Sequence, residues 1–171
     1  GARSKGVITY MKHFALNDQE TNRYGGAMFA NEQSIREIYL RGFEYTVRIG
    51  KSNAAMMAMN RIGPKWVGAH YGLATEVLRN EWGFQGVVIT DQASSISMGY
   101  QDIVDGLAAG TDLWLNTDSS LLSLDSYFSS ATVMSNVKRA AKNIVFAVAN
   151  SNAMNNIGGA TQVVSVIPPW Q

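Results

Sequence analysis

The sequence contains no cysteine, which excludes disulfides, thiolate ligands and cysteine nucleophiles and leaves the redox compartment open. Its two histidines, His13 and His70, are too few for a histidine-rich zinc site, so no metal is expected. No apolar run approaches the roughly 18 to 20 residues that a membrane helix needs. The opening Gly1-Ala2-Arg3-Ser4-Lys5-Gly6 carries charge with no apolar stretch behind it, unlike a signal peptide. Charge of one sign is lacking too: 14 Lys and Arg against 13 Asp and Glu leave a formal net charge of +1. The basic residues are dispersed, so neither nucleic acid nor an anionic membrane surface is an expected partner. No glycine-rich phosphate fingerprint follows an apolar run, which argues against a nucleotide cofactor.

What is present is an ordinary globular composition: 171 residues, 46% hydrophobic and 16% charged, enough for one domain with a sizeable core. The most informative stretch is Gly86-Val87-Val88-Ile89-Thr90-Asp91. A β-branched run without polar alternation suits a strand covered on both faces, as in a parallel sheet flanked by helices. It ends in a carboxylate, and in barrels of parallel strands the reactive groups sit at the C-terminal strand ends. Asp91 is therefore the first catalytic candidate; the structural alternative is a helix cap or turn residue.

The same plan recurs along the chain. Residues 7–11 read as a strand followed by Lys12-His13-Phe14, and a polar, glycine-containing loop covers residues 17–26. Residues 34–49 show the period of an amphipathic helix, with Asn31 or Ser34 to cap it and Gly50 to end it. A second strand is expected over 54–60, a breaker loop with Gly63-Pro64 over 61–68, and a helix over 71–82. After the strand that ends at Asp91 come a helix over 101–109, a strand over 112–116 and a long helix over roughly 130–150. The remaining tail, 151–171, reads as a linker or an edge strand. Four β-α units in succession predict an α/β fold with parallel strands and right-handed crossovers. Collected at the strand ends are Lys12, His13, Met56, Met59, Asn60, Asp91 and Asn116.

Several spaced motifs then agree. Lys12-His13-Phe14 with Asn17-Asp18-Gln19-Glu20 and Arg23, Arg36-Glu37-Ile38-Tyr39-Leu40 with Phe43-Glu44, Met56 with Asn60-Arg61, and Leu78-Arg79-Asn80-Glu81-Trp82-Gly83-Phe84 before the strand to Asp91 together resemble glycoside hydrolase family 3. The resemblance runs in the family's order from about residue 6 to 149. It implies four of the eight units of a TIM-type (β/α) barrel, its second half, over residues 1–150. It further implies a retaining exo-β-glycosidase of the β-glucosidase type, acting on a terminal β-glucoside or oligosaccharide through a glycosyl-enzyme intermediate, with no cofactor. By motif matching Asp91 stands at the nucleophile, Lys12 and His13 at the pair that binds glycone hydroxyls, and Arg23 and Met56 near the sugar.

The sequence departs from the family pattern in two places close to the nucleophile: Gln92 replaces a common Trp, and Met59 stands where many members have Tyr. Similar substitutions occur in a clostridial-type subgroup whose barrel comes last, often before a membrane helix. That similarity favours an extracellular or membrane-anchored location, with the membrane met only through a segment outside this chain. A half-barrel leaves edges and faces uncovered, so pairing with a missing barrel half or a second copy is expected. No glutamate stands out as the general acid, and His70, Trp82 and the methionines read as structural. The competing reading is a non-catalytic carbohydrate-binding or structural barrel fragment; an N-acetylglucosaminidase of the same family ranks below it, because its His/Asp dyad is not seen.

Overall fold

The computed structural model describes residues 1–93, 98–116 and 122–153. In chain order the strands are β1 (Tyr10–Phe14), β2 (Ala27–Met28), β3 (Ala54–Met57), β4 (Arg61–Ile62), β5 (Lys65–Trp66), β6 (Val87–Gln92) and β7 (Leu113–Leu115). Strands β1, β3, β6 and β7 form one parallel sheet in that order, with small residues in β3 and a β-branched run in β6 at its centre. A second, three-stranded sheet, β2-β4-β5, lies within the connections. The α-helices are α1 (Glu32–Ser34), α2 (Arg41–Arg48), α3 (Ile103–Ala109) and α4 (Ala131–Ala149). Wide π-turns link α1 to α2 over Ile35–Tyr39 and make up the helix Gly72–Glu81. Their i→i+5 bonds include Leu40 N–H to the Ile35 carbonyl at 2.8 Å and Trp82 N–H to that of Val77 at 3.1 Å.

The helices cover one face of the sheet. Leu40, Val47, Leu73, Ala74, Val77, Leu78 and Trp82 bury against Met11, Phe14, Ala55, Met57 and Val88. Within this core Phe43 and Trp82 meet the Phe14 ring edge-on, at centroid distances of 5.2 and 6.0 Å. On the opposite face the end of α4 packs only where the strands begin, through Ala147 against Ala54 and Val87. On the same face Tyr10, the register partner of Ala54, and, farther along the strands, Leu113 and Leu115 are 39%, 38% and 43% exposed. This is the α/β architecture of about four of the eight units of a TIM-type barrel, whose uncovered face corresponds to the barrel interior.

Several boundaries differ from those expected. Strand β1 begins at Tyr10, not at residue 7, because its neighbour β3 starts opposite it at Ala54; Lys12 and His13 thus lie inside the strand. Strand β3 stops at Met57, where side chains take over from the ladder: Asn60 Nδ2 donates to the Leu16 carbonyl and Trp66 Nε1 to that of Ala58, both at 3.0 Å. The expected loop over 61–68 contains the β4–β5 hairpin and a 3₁₀ turn, Val67–Ala69, two-residue pairings too short to leave a periodic signal. Asn31, not Ser34, caps the first helical run by accepting from Ser34 N–H at 2.8 Å. Its end brings Gly50 N–H onto the Tyr45 carbonyl at 3.0 Å. The tail from residue 154 onward, with Trp170, lies outside the described residues.

At the N-terminal end of the strands one buried carboxylate, Asp112, ties its own segment before β7 to β6, to the helix Gly72–Glu81 and to α4. Asp112 Oδ2 accepts from Arg79 at 2.6 Å and from Val88 N–H at 2.9 Å, and its Oδ1 accepts from Asn143 of α4 at 2.9 Å. Arg79 also donates to the carbonyls of Gly86 and Gly110, at 3.0 and 3.1 Å. Gly86 is required there, since a Cβ would lie 1.9 Å from the Asn53 carbonyl oxygen. Burial pushes the Asp112 carboxyl up, opposed by Arg79 and the donors around it. Removing one member of a buried ion pair strands the other, at about 3 kcal/mol or more. Asp112→Ala is expected to lower unfolding free energy by about that amount in urea denaturation, whereas Glu32→Ala, which removes an exposed partner of Arg36, changes it by less than about 1 kcal/mol.

Candidate active site

The opposite end of the same sheet carries the candidate residues. Strand β6 is apolar and buried through Val87, Val88 and Ile89, then buries Thr90 and leaves Asp91 partly exposed. On the β3 side the register ends at Met56 opposite Ile89; on the β7 side it shifts between Ile89 and Gln92. Asp91 thus lies past the regular ladder, where a side chain can leave the sheet. Its Oδ1 accepts from Gln92 N–H at 2.7 Å. Its Oδ2 faces His13 Nε2 at 3.4 Å, with the two side chains 17% and 29% exposed. The local bond to Gln92 satisfies the turn-like alternative for one oxygen and leaves the other toward His13.

His13 reaches Asp91 across β3, since β1 pairs with β3 and β3 with β6. Lys12, beside it, is exposed. The peptide bonds Lys12–His13 and Phe14–Ala15 are cis. Arg23, in the loop after β1, pairs with Glu20 at 2.8 Å and lies over the Tyr24 ring at 5.4 Å. Its guanidinium is held above the usual range chiefly by Tyr24, with Glu20 and Asp91 adding. Met56 is half-buried and opposite Ile89 in register, next to the strand that carries Asp91. Met59 and Asn60 are buried, with Asn60 holding the Leu16 carbonyl. Asn116 is half-buried just beyond β7.

The structure adds residues that sequence reading passed over. Tyr100 donates to the Met59 carbonyl at 2.8 Å, stacks under the Arg61 guanidinium at 4.6 Å and meets Trp66 edge-on at 6.5 Å. Gln101, 1% exposed, donates through Nε2 to the Gln92 carbonyl at 3.0 Å. Nothing in the periodicity marks Tyr100 or Gln101, because both act through contacts distant in sequence. No group of three or more His, Cys, Asp or Glu side chains suited to a metal ion exists among the described residues, and among them no helix is long and apolar enough to cross a membrane.

His70 is not part of this cluster. It lines a groove of about 290 Å³ between the helical runs, together with Ile35, Leu40, Leu73 and Val77. Trp66 and Trp82 are core residues, 2% and 9% exposed.

A parallel sheet with helices on one face and a carboxylate at a C-terminal strand end defines a barrel protein of the TIM type, present here as about four of its eight units. Comparison with known proteins makes the class specific. The model described as glycosyl hydrolase family 3 N terminal domain matches residues 1–150, and the chain belongs to that family. It is 40% identical over 97 residues to a beta-glucosidase of Ruminococcus albus, covering 57% of this chain and 10% of that protein. To an exo-alpha-(1->6)-L-arabinopyranosidase of Bifidobacterium longum it is 39% identical over 99 residues, covering 58% of this chain and 13% of that one. The structure of beta-glucosidase 3B from Thermotoga neapolitana in complex with glucose is similar with a TM-score of 0.77 at 30% identity, over 90% of this chain and 22% of that one. The chain thus spans about a tenth of those curated relatives and about a fifth of that solved structure.

The imidazole of His70 titrates below its ordinary 6.5, chiefly through burial, with Lys65 adding. The unfolded chain therefore takes up this proton at higher pH than the folded chain, so His70 contributes stability above 6.5 that is lost as pH falls through the lowered folded value. Urea midpoints measured from pH 7.5 downward are expected to decline in that window for the wild type and to lack that component in His70→Gln. Equal slopes for the two proteins would contradict the assignment.

Proposed function

We propose that this chain is the nucleophile-bearing half of a retaining exo-β-glycosidase barrel, of the β-glucosidase type, and that residues 1–150 form the second half of that barrel. The observation that carries the reading is Asp91: a partly exposed carboxylate at the C-terminal end of a buried parallel strand, with Oδ1 bonded to the adjoining Gln92 N–H and Oδ2 toward His13 at 3.4 Å. Oδ2 attacks the anomeric carbon, the bond from that carbon to the leaving oxygen breaks, and a glycosyl ester forms on Asp91. Water then cleaves the ester with retention. Lys12 and His13 donate to glycone hydroxyls, and Arg23 and Met56 border the same sugar. The proton for the leaving group, and the base for the water, come from a second carboxyl group contributed outside these four units. A β-glucoside is favoured as substrate by the names of the Ruminococcus and Thermotoga relatives. Covering strands for the exposed Tyr10, Leu113 and Leu115 come from the remaining barrel half or from a second copy of the chain.

A second reading, a non-catalytic carbohydrate-binding fragment, draws support from Gln92 and Met59, which replace an aromatic ring and a hydroxyl common in the family beside the nucleophile. Intact mass after incubation with an activated 2-deoxy-2-fluoro-β-glucoside separates the two. The enzyme reading expects an adduct of one fluorosugar on the wild type and none on Asp91→Ala. An unlabelled wild type that still binds glucose supports the second reading, and an adduct that persists in Asp91→Ala removes Asp91 from the role.

A further inference from the structure

The regular ladder does not hold Asp91, because pairing with β3 ends at Ile89 and pairing with β7 shifts between Ile89 and Gln92. What fixes the strand end is a set of bonds around the next peptide unit. Ala93 N–H donates to the Leu115 carbonyl at 2.9 Å, and Gln101 Nε2 donates to the Gln92 carbonyl at 3.0 Å. The peptide between Gln92 and Ala93 is thereby held at both its N–H and its C=O. The adjoining peptide supplies the Gln92 N–H that takes Asp91 Oδ1 at 2.7 Å. Thr90, fully buried, accepts from Leu115 N–H at 3.0 Å on the other side of Asp91.

Gln101 is itself built into this position. Its side chain is 1% exposed, its N–H donates to the Met98 carbonyl at 2.9 Å and its carbonyl accepts from Trp114 Nε1 at 3.2 Å. The amide orientation follows from chemistry: the Gln92 carbonyl only accepts, so the nitrogen of Gln101 faces it. The neighbouring Tyr100 donates its hydroxyl to the Met59 carbonyl at 2.8 Å. The adjacent pair Tyr100 and Gln101 therefore links the strand end after Asp91 to the segment after β3.

We infer that Gln101 is a positioning residue for the nucleophile: it holds the Gln92–Ala93 peptide so that Gln92 N–H captures Asp91 Oδ1 and Oδ2 is presented to the substrate. The inference rests on the catalytic reading of Asp91. A misdirected carboxylate loses rate much more than binding, because sugar contacts come from other strands, and small displacements of a reacting group cost up to about a hundredfold. The test uses the protein as its gene encodes it and the same fluoroglucoside, measuring the inactivation rate constant and the dissociation constant of the reversible complex separately. In Gln101→Met, which keeps length and removes the donor, the rate constant is expected to fall about tenfold or more with the dissociation constant within about twofold. Gln101→Asn serves if the methionine variant does not fold. Thr111→Val, which removes a buried hydroxyl bonded to the Gly68 carbonyl at 2.7 Å, controls for lost stability and is expected to keep the wild-type rate constant. An unchanged rate in a folded Gln101 variant, or an equal fall in Thr111→Val, overturns the inference while labelling of the wild type stands. An unlabelled wild type removes the catalytic reading and this inference with it.

Discussion

The buried pair of Arg79 and Asp112 is the constraint on which the rest of the arrangement depends. Its desolvation is offset only because every available oxygen and most of the guanidinium are used: Asp112 takes Arg79, Val88 N–H and Asn143, and Arg79 takes Asp112 and two backbone carbonyls. A buried charge this fully bonded tolerates few alternative geometries. It sets the helix Gly72–Glu81 against the starts of β6 and β7 and draws α4 beneath them. With the lower ends of β6 and β7 placed in this way, the upper end of β6 and its carboxylate have a defined position.

Two aspartates lie at opposite ends of one sheet, in a fold whose N-terminal strand ends commonly serve stability and whose C-terminal ends carry reactive groups. Asp112 is enclosed, with both oxygens committed to internal donors. Asp91 is partly exposed, with one oxygen bonded locally and the other toward His13. The difference lies in surroundings and not in residue type. His13 of β1, Arg23 of the loop after it, Met56 of β3 and the pair Tyr100 and Gln101 after β6 come to the Asp91 end from four separate segments, so the candidate site is assembled by the sheet order and not by any one segment.

The uncovered face connects fold and family. Tyr10, Leu113 and Leu115 lie on the side of the sheet away from the helices, and among the described residues β1 and β7 have no further strand beside them. A closed barrel of eight strands covers both features at once. The family relatives are many times longer than the segment matched here, which accords with strands supplied from beyond these four units.

Much was legible in the amino-acid order alone. The Val87-to-Asp91 run announced a buried parallel strand with a carboxylate at its end, because β-branched residues without polar alternation fit few other environments. The helical periods over 34–49 and 71–82 located the covering layer, that over 130–150 located α4, and the spaced motifs pointed to the family. What the sequence could not carry were relations between distant segments: that His13 lies across β3 from Asp91, that Asp112 is a buried hub and Asp91 is not, and that Tyr100 and Gln101 belong beside the strand that carries Asp91. Short pairings such as β4 with β5, and the shift from α- to π-turns, also escaped, since two residues or one extra residue per turn leave no periodic trace. The physical reason is common to all of these. Periodicity and composition record what each residue needs from its immediate environment, whereas the partner that meets the need is chosen only when strand order, register and packing bring separate parts of the chain together.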